Sequence, residues 1–387
     1  MLDIKKVNHS MEEKKRCPGC GAVFQTADEN LPGFLAPGKE PKEGVLCKRC
    51  FQMKHYGVFR KALISDPNIQ KELRRQADSC AALFLVLDVT RPEISMSDLD
   101  WAEELNKPVF LVANKVDLLE PWAARKEVLA WLSEQCGVLA EQIFLISAHS
   151  RRDMTDLRAR LRDTFSPEDR ILFAGAANVG KSTILGALLK NDLPTVSRLP
   201  GTTVGMTEYR MEHGPVLVDA PGLKGEDPFV PVLCPDCLTA LSPRKSFQSS
   251  IEVFKPGQTI FFGGLAQLTV TDAGERGWVR LGLFAPDSVT LHKTREERIV
   301  SLIDEHSGEL LTPPCEKCAA RLASLNWKEE SFRLHAEEDL VIPGIGWAAL
   351  YSGACAVTLR TPEFVAGAVR PWLIPSPARR QPGKKRY

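Results

Sequence analysis

Residues 170–183 read Arg-Ile-Leu-Phe-Ala-Gly-Ala-Ala-Asn-Val-Gly-Lys-Ser-Thr. The apolar run Ile171–Gly175 predicts a buried strand, and Lys181–Lys190 carries a helical pattern. Between them Gly175, Gly180, Lys181 and Ser182 fit the spacing GxxxxGK[ST], in the strand–loop–helix setting the motif needs. Glycines there let backbone N–H groups converge on phosphate oxygens, and the helix start adds its positive dipole end. The loop Gly175, Asn178, Val179, Gly180, Lys181, Ser182 and Thr183 is therefore a nucleotide-phosphate candidate. Lys181 would reach the β- and γ-phosphates, and the Ser182 hydroxyl would hold Mg²⁺. A chance glycine-rich turn is the plain alternative.

That alternative weakens because partner motifs sit at other strand ends. Asp219-Ala-Pro-Gly222 closes the run Pro215–Asp219; Asp219 can bind Mg²⁺ through water, and the Gly222 N–H can sense a γ-phosphate. Asn114-Lys115-Val116-Asp117 closes Val109–Ala113. The Asp117 carboxylate can accept two hydrogen bonds from the guanine N1–H and N2–H₂ edge, which adenine lacks. A site built to pair such a group can reject the analogue without it by about 10⁴-fold or more. Ser147-Ala148 follows a third strand, Ile143–Ser147, and fits a loop that supports the base. Thr202 and Thr203 lie where a switch threonine should cover Mg²⁺ and the γ-phosphate, and Thr203 is the better placed.

Working outward, buried-strand runs alternate with amphipathic helical patterns from Ala81 onward. Strands are expected at Ala82–Asp88, Val109–Ala113, Ile143–Ser147 and Ile171–Gly175. Helices are expected at Ser97–Leu105, Pro121–Gln135, Asp153–Asp163 and Lys181–Lys190. Such continuous apolar strands indicate an α/β fold with a mostly parallel sheet covered on both faces. Gly205–Met211 and Pro215–Asp219 read as an antiparallel edge. The motif order is unusual: the guanine motif and Ser147-Ala148 precede the phosphate loop. All parts of a P-loop GTPase are present, but circularly permuted, which requires only that the usual termini lie close together. Asp153–Asp163 and the stretch Thr164–Arg170 would make that join. The chain then leaves the GTPase domain just after Gly222, so nucleotide state is wired directly into the C-terminal domain.

In these motifs the chain resembles the circularly permuted GTPases of ribosome assembly, and among them the YqeH-type proteins. The likeness covers nearly the whole length. It includes CPGCGAVFQ and LCKRCFQMKHYG at the N-terminus, NKVD, GAANVGKST, LPGTT and DAPG in permuted order, and FFGGLAQL with HSGELLTPP further on. The resemblance implies a part in maturation of the small ribosomal subunit, contact with that subunit or its rRNA, and weak intrinsic GTPase activity. After Ser147-Ala148 the chain continues His149-Ser150-Arg151 without the glycines the family pattern leads one to expect.

The residue after Gly222 is Leu223, where many GTPases place a water-orienting Gln. An apolar side chain cannot orient water, so basal turnover should be slow. Asn178 resembles the phosphate-loop Asn of GTPases that recruit K⁺ beside the β/γ bridge; a turn-forming Asn is the plain alternative. Asn178, Lys181, Thr203 and Gly222 are the catalytic candidates.

The chain contains 11 cysteines, eight of them in CxxC pairs. Cys17/Cys20 and Cys47/Cys50 are separated by 26 residues and suit a structural tetrahedral Zn²⁺ site. The metal would replace a core too small to form in so short a module. Cys234/Cys237 and Cys315/Cys318, 77 residues apart, form a possible second Zn²⁺ site. Cys80, Cys136 and Cys355 read as small buried apolar residues. Lys48, Arg49, Lys54 and His55, interleaved with Phe51 and Tyr56, are as compatible with RNA contact as with a solvated charged face.

The 387 residues carry 44% hydrophobic and 26% charged side chains, ordinary for a globular protein of two or three domains. A net charge of +1 excludes a histone-like, wholly polyanion-coating protein. The longest apolar run, Ala81–Leu87, is far short of the ~20 residues that span a bilayer. With no signal sequence legible, a cytoplasmic protein without membrane or DNA partners is expected. The reading divides the chain into a zinc-binding module (1–60), a permuted GTPase domain (61–232), a β-rich mixed domain (233–378) and a basic tail (379–387). In the β-rich domain, strands are expected at Thr259–Phe262, Gln267–Val270, Val279–Phe284 and Trp347–Tyr351, with a helix at Glu296–His306. No internal repeat is legible beyond the CxxC pairs. A rival reading is a zinc-dependent RNA-binding module whose G domain holds nucleotide with little turnover.

Overall fold

The structure, a computed structural model, describes residues 24–26, 34–36, 40, 45, 67–176, 178–189, 196–198, 206–220, 222, 227–243 and 247–375. Two compact units are distinguished: Met1–Leu63 with Pro200–Gly205, and Ile64–Leu199 with Met206–Tyr387. In the first, Gln25 and Phe34 form an isolated parallel bridge. Cys17, Cys20, Cys47, Cys50, Thr202, Thr203, Leu223 and the basic tail lie outside the described residues.

The second unit opens with the helix Pro67–Asp78 and the strand β1 (Ala82–Asp88). All seven residues of β1 are buried because helices cover both faces of its sheet. The sheet continues with β2 (Val109–Asn114), β3 (Ile143–Leu145), β4 (Arg170–Ala174), β5 (Val196–Arg198), β6 (Thr207–Arg210) and β7 (Val216–Asp219). Its spatial order is β3-β2-β1-β4-β7-β6-β5. The helices Pro92–Glu103, Arg125–Cys136 and Arg151–Thr164 connect the first four strands. β1 runs parallel to both its neighbours, β2 and β4, so the guanine motif after β2 and the phosphate loop after β4 emerge at the same end of the sheet. β6 and β7 pair antiparallel as expected, but Val216–Asp219 is not at the edge: β7 also runs parallel to β4, β5 forms the edge, and only β6 runs against the other strands. The apolar run of β7 suits this interior position, since Leu217 and Val218 are fully buried.

The join between the helix Arg151–Thr164 and β4 is a short turn. Its Ser166 N–H donates to Asp169 Oδ2 at 2.7 Å, and the Asp169 N–H returns to the Ser166 carbonyl at 3.1 Å. On one face of the sheet Phe84 collects Phe110, Phe144, Phe165 and Phe173, with ring centroids 5.0–6.0 Å away.

The C-terminal part holds an internal duplication that the sequence reading missed. The first half runs β8 (Phe247–Phe254), β9 (Gln258–Phe262), β10 (Ala266–Asp272), β11 (Val279–Pro286) and β12 (Leu291–Arg295). The second runs β13 (Trp327–His335), β14 (Glu338–Ile342), β15 (Gly346–Leu350), β16 (Ala354–Pro362) and β17 (Ala368–Pro371). Two five-stranded sheets result, β12-β9-β10-β16-β13 and β17-β14-β15-β11-β8. Each takes three strands from one half and two from the other, in matching places. The turns match as well. Gln258 Oε1 caps the Lys255 N–H at 2.9 Å, and Glu338 Oε2 caps the His335 N–H at 2.7 Å. The Val289 N–H reaches the Pro286 carbonyl, and the Val365 N–H reaches the Pro362 carbonyl, both at 2.9 Å. Phe254, Ile260, Phe262, Leu283, Leu334, Ile342, Val357 and Leu359 share one core cluster drawn from both sheets. The predicted helix at Glu296–His306 is a 3₁₀ turn, Glu296–Arg298, followed by an α-helix, Ile299–His306.

One sheet docks on the GTPase part through an aromatic cluster. Phe247 and Phe284 stack on Trp347, and Trp122 meets Phe247 and Phe284 edge-on at 6.4 and 6.2 Å. In the other sheet the pair matching Trp347 and Phe284 is Gln267 and Arg360, which are likewise register partners. That face carries polar residues at those positions instead, and Arg360 lies over the Trp327 ring at 5.3 Å. Across the docked face, Arg370 lies 5.2 Å from both the Trp131 and Trp347 rings and pairs with Glu93 at 3.2 Å and Asp339 at 3.3 Å.

Candidate functional site

The loop after β4 is shaped by glycine. Gly175 has φ +145°, and a Cβ there would fall 2.2 Å from the Val86 carbonyl oxygen. Gly180 has φ +97°, and its Cβ would meet Asn114 Nδ2 at 2.2 Å. Both positions exclude side chains on conformational and steric grounds. Asn178 is exposed with φ 68°, a left-handed conformation that Asn tolerates better than most residues; this backbone role by itself explains an Asn here. Lys181 begins the helix Lys181–Leu188, is buried, and donates to the Gly175 carbonyl at 3.2 Å. Ser182 and Thr183 are exposed at the helix start, and Val179 is buried in the loop.

Asn114 ties three loops together. Its Nδ2 donates to the Val179 carbonyl at 2.9 Å, and its Oδ1 accepts from the Ala148 N–H at 3.0 Å. The phosphate loop, the NKVD turn and the Ser147-Ala148 turn therefore meet through one amide, although they come from well-separated sequence positions. Lys115 turns the chain with φ 68° into the 3₁₀ segment Val116–Leu118, whose Val116 and Leu118 are buried. Asp117 is half-buried on that turn, and its carboxylate makes no side-chain hydrogen bond among the described residues.

The Ser147 loop is braced without glycine. Asp153 Oδ2 accepts from the Ser147 N–H at 2.8 Å, and Arg125 grips both Asp153 oxygens at 3.0 and 2.9 Å. Arg125 also donates to the Leu145 carbonyl at 3.2 Å. In place of the expected glycines, a bidentate ion pair fixes the backbone.

Asp219 closes β7 beside the phosphate loop. Its Oδ1 is buried with no hydrogen-bond partner among the described residues, and burial lifts its pKa to about 6 although nearby Lys181 pulls it down. An orphaned buried carboxylate oxygen is costly unless a proton or cation satisfies it, so the residue fits a divalent cation. Gly222 is half-buried three residues on. Thr203, the remaining candidate for this cation, lies outside the described residues.

A buried carboxylate that the sequence reading overlooked stands behind the site. Asp88, at the end of β1, accepts from Lys115 Nζ at 2.5 Å, from Thr90 Oγ1 at 2.6 Å and from the Thr90 N–H at 3.0 Å. Burial opposes its ionisation, but Lys115 and Arg91 outweigh that and hold it below the ordinary carboxylate range. Arg91 in turn pairs with Asp227 at 3.2 Å, a few residues beyond Gly222. A charge and two hydrogen-bonding residues directly after an apolar strand (Asp88-Val-Thr90-Arg91) were the available signal.

Comparison with known proteins agrees with this arrangement. Residues 170–250 match the family model described as 50S ribosome-binding GTPase, and residues 278–373 match YqeH-like, C-terminal. In these two stretches the chain is similar to a GTPase domain and to the YqeH C-terminal region. The protein called uncharacterized protein YqeH of Bacillus subtilis is 28% identical to it over 94% of this chain and all of that one. A rice protein called putative nitric oxide synthase is 25% identical over 86% of this chain and 69% of its own length. The crystal structure of YjeQ from Thermotoga maritima aligns at 25% identity over 38% of this chain and 50% of that one, with a TM-score of 0.28. The permutation of this GTPase follows from its own strand order, in which the phosphate-loop strand β4 lies mid-sheet and is preceded in sequence by the three strands on one side of it.

The GTPase fold implies GTP or GDP with Mg²⁺, and the phosphate loop and Asp219 suit them. Among the described residues, Cys80, Cys136 and Cys355 are buried apolar fillers, as expected. Cys234, Cys237, Cys315 and Cys318 converge, their sulfurs all within 4.8 Å of one another. No helix among the described residues is long and apolar enough to cross a membrane.

Proposed function

We propose that this GTPase is a nucleotide-gated assembly factor for the small ribosomal subunit, docking on rRNA or a ribosomal protein. The observation that carries the nucleotide half is the Asn114 amide joining three loops beside the unengaged Asp117 carboxylate. The ribosomal half is supported by the resemblance to ribosome-assembly GTPases; the matching family model, described as 50S ribosome-binding GTPase, supports a ribosomal partner in general, and the small subunit rests on the resemblance alone.

In this reading Asp117 reads the guanine edge while Asn114, Lys115, Ser147 and Ala148 hold the base loop. Gly175, Val179 and Gly180 shape the phosphate cradle, and Lys181 neutralises the β- and γ-phosphates. Thr183 lines the nucleotide beside the phosphate loop, and Ser182, Thr203 and Asp219 would hold the cation, which when bound would offset charge building on the phosphate oxygens. Gly222 reports the γ-phosphate to the segment leading into the C-terminal domain. Cys17, Cys20, Cys47 and Cys50 hold Zn²⁺ in a module that helps dock the ribosome. The domains divide at 60/61, 232/233 and 378/379, and the protein works in the cytoplasm.

Co-sedimentation with purified small and large subunits, in K⁺ buffer with a non-hydrolysable GTP analogue, GDP or no nucleotide, tests the whole. Binding to small subunits with the GTP analogue alone is expected. Binding regardless of nucleotide would favour an RNA-binding module, and binding only to large subunits would overturn the subunit assignment.

Asn178 is proposed to place K⁺ beside the β/γ bridge. The expected outcome is faster GTP hydrolysis in KCl than in NaCl at equal ionic strength, with the difference lost in Asn178→Ala. Matching rates in the two salts remove K⁺ from the mechanism.

A further inference from the structure

We propose that Cys234, Cys237, Cys315 and Cys318 form a closed structural Zn²⁺ site that staples the two halves of the duplicated C-terminal domain to each other. This inference stands apart from the GTPase and ribosome readings.

The four residues occupy matching places in the duplication. Cys234 and Cys315, 81 positions apart, each cap the N-terminus of a helix that leads into the first strand of its half, Pro235–Ala240 before β8 and Glu316–Ala323 before β13. Their hydrogen bonds are reciprocal. The Cys234 N–H donates to Cys318 Sγ at 3.1 Å, and the Cys315 N–H donates to Cys237 Sγ at 3.2 Å. Each half thus supplies the donor that stabilises a sulfur of the other. A local pseudo-twofold relates the two CxxC turns, and a single ion between them would sit on it.

Distance chemistry selects a metal over a covalent link. Sulfurs bound tetrahedrally to Zn²⁺ at about 2.3 Å lie roughly 3.8 Å apart. Cys234 Sγ and Cys315 Sγ are 3.9 Å apart, and all four sulfurs fall within 4.8 Å. A disulfide needs about 2.05 Å, and all four are free thiols. Cys237 and Cys318 are buried at 4% and 1% exposure, so the cluster is closed from one side. Four thiolates and no open position mark a structural rather than a catalytic metal.

The staple also fixes the chain as it arrives from the GTPase part. Phe229 and Leu233, just before Cys234, are buried in the same core as Cys237 and Cys318. Arg321, on the second half's helix, donates to the Val232 carbonyl at 3.0 Å. The segment descending from Gly222 therefore ends at the cysteine cluster.

The test measures zinc per chain by plasma mass spectrometry on the full-length protein and on Cys234→Ser/Cys315→Ser and Cys17→Ser/Cys20→Ser variants. The first variant is expected to lose one zinc relative to wild type, and the second to keep the zinc of the C-terminal cluster. This holds whether or not the N-terminal cysteines bind metal. Should Cys234→Ser/Cys315→Ser not fold, peptide-mapped iodoacetamide labelling of native wild type decides. Protection of all four cysteines in the native protein, and their labelling after incubation with a chelator alone, supports the site. Unchanged zinc in the folded variant, free labelling of the native protein, or recovery of these cysteines as disulfides overturns it.

Discussion

Asp117→Asn will shift the nucleotide preference from GTP toward xanthosine triphosphate. The turn that carries residue 117 is held by its backbone and not by its side chain. The Val116 N–H donates to the Ile146 carbonyl at 3.2 Å and the Leu118 N–H to the Lys115 carbonyl at 3.0 Å, while Val116 and Leu118 anchor the turn in the core. The Asp117 carboxylate makes no side-chain hydrogen bond among the described residues, so the isosteric amide should leave stability unchanged. Its chemistry toward a base changes fully. A carboxylate offers two acceptors to the two donors of guanine, whereas an amide presents one donor and one acceptor. Guanine then faces donor against donor, and xanthine, with a carbonyl at position 2, is matched. GTP affinity should fall by on the order of 10⁴-fold, the discrimination available to a site built to pair a substrate N–H. Titration calorimetry with both nucleotides checks this, and unaltered GTP affinity in a folded Asp117→Asn protein would remove the residue from base recognition.

Asp88→Asn will destabilise the fold and weaken nucleotide binding together. The wild-type carboxylate is buried and balances Lys115 at 2.5 Å, with Arg91 at 4.0 Å. The amide keeps the shape but leaves Lys115 short of its counter-charge and Arg91 with Asp227 alone. Removing one partner from a buried ionic cluster costs about 3–5 kcal/mol. The urea midpoint should drop accordingly, and GTP affinity with it, because Lys115 loses the group that positions it next to the base-reading turn. The pH dependence has a defined sign. Asp88 has a folded-state pKa below its ordinary value of 3.8, so its contribution is complete above that value and is lost as acid titrates the folded protein below it. The stability gap between wild type and Asp88→Asn should therefore close at low pH. A midpoint equal to wild type at neutral pH would show that Asp88 does not carry this load.

The GTPase half was legible in the sequence because its chemistry and its periodicity are local. β1, β2 and β4 are short apolar runs ending in polar motifs, and a run buried on both faces announces a covered parallel strand wherever it occurs. What remained hidden was relational. Asp153 looks like an ordinary helix-start acid until the Ser147 N–H and Arg125 are seen around it. Asp88 reads merely as the end of an apolar stretch. The duplication escaped for a different reason. Residues 261–268 (FFGGLAQL) and 341–348 (VIPGIGWA) occupy equivalent hairpins but share only the glycine at 264 and 344. One sheet has been reshaped to meet Trp122 with Phe284 from the first copy and Trp347 from the second, the other sheet keeps Gln267 and Arg360 at the matching places, and divergent surface demands erased the repeat from the side chains. β13 was missed because its exposed positions are the polar Glu329, Ser331, Arg333 and His335, β16 because Thr358 and Arg360 alternate with its buried residues, and β8 because Ser and Glu interrupt an apolar pattern whose Ile251 and Val253 are exposed.

The exchange of strands between the two halves has a consequence for how such a domain can be built or broken. Neither half owns a complete sheet: β10 needs β16, and β15 needs β11. A chain cut after β12 would carry two unfinished edges, and the material that completes them is, in shape, another copy of itself. The architecture is that of a homodimer whose subunits were joined end to end. Once covalent, the symmetry no longer had to be kept, and the two outer faces were released to specialise, one toward the enzyme to which it is tethered and the other toward the surroundings.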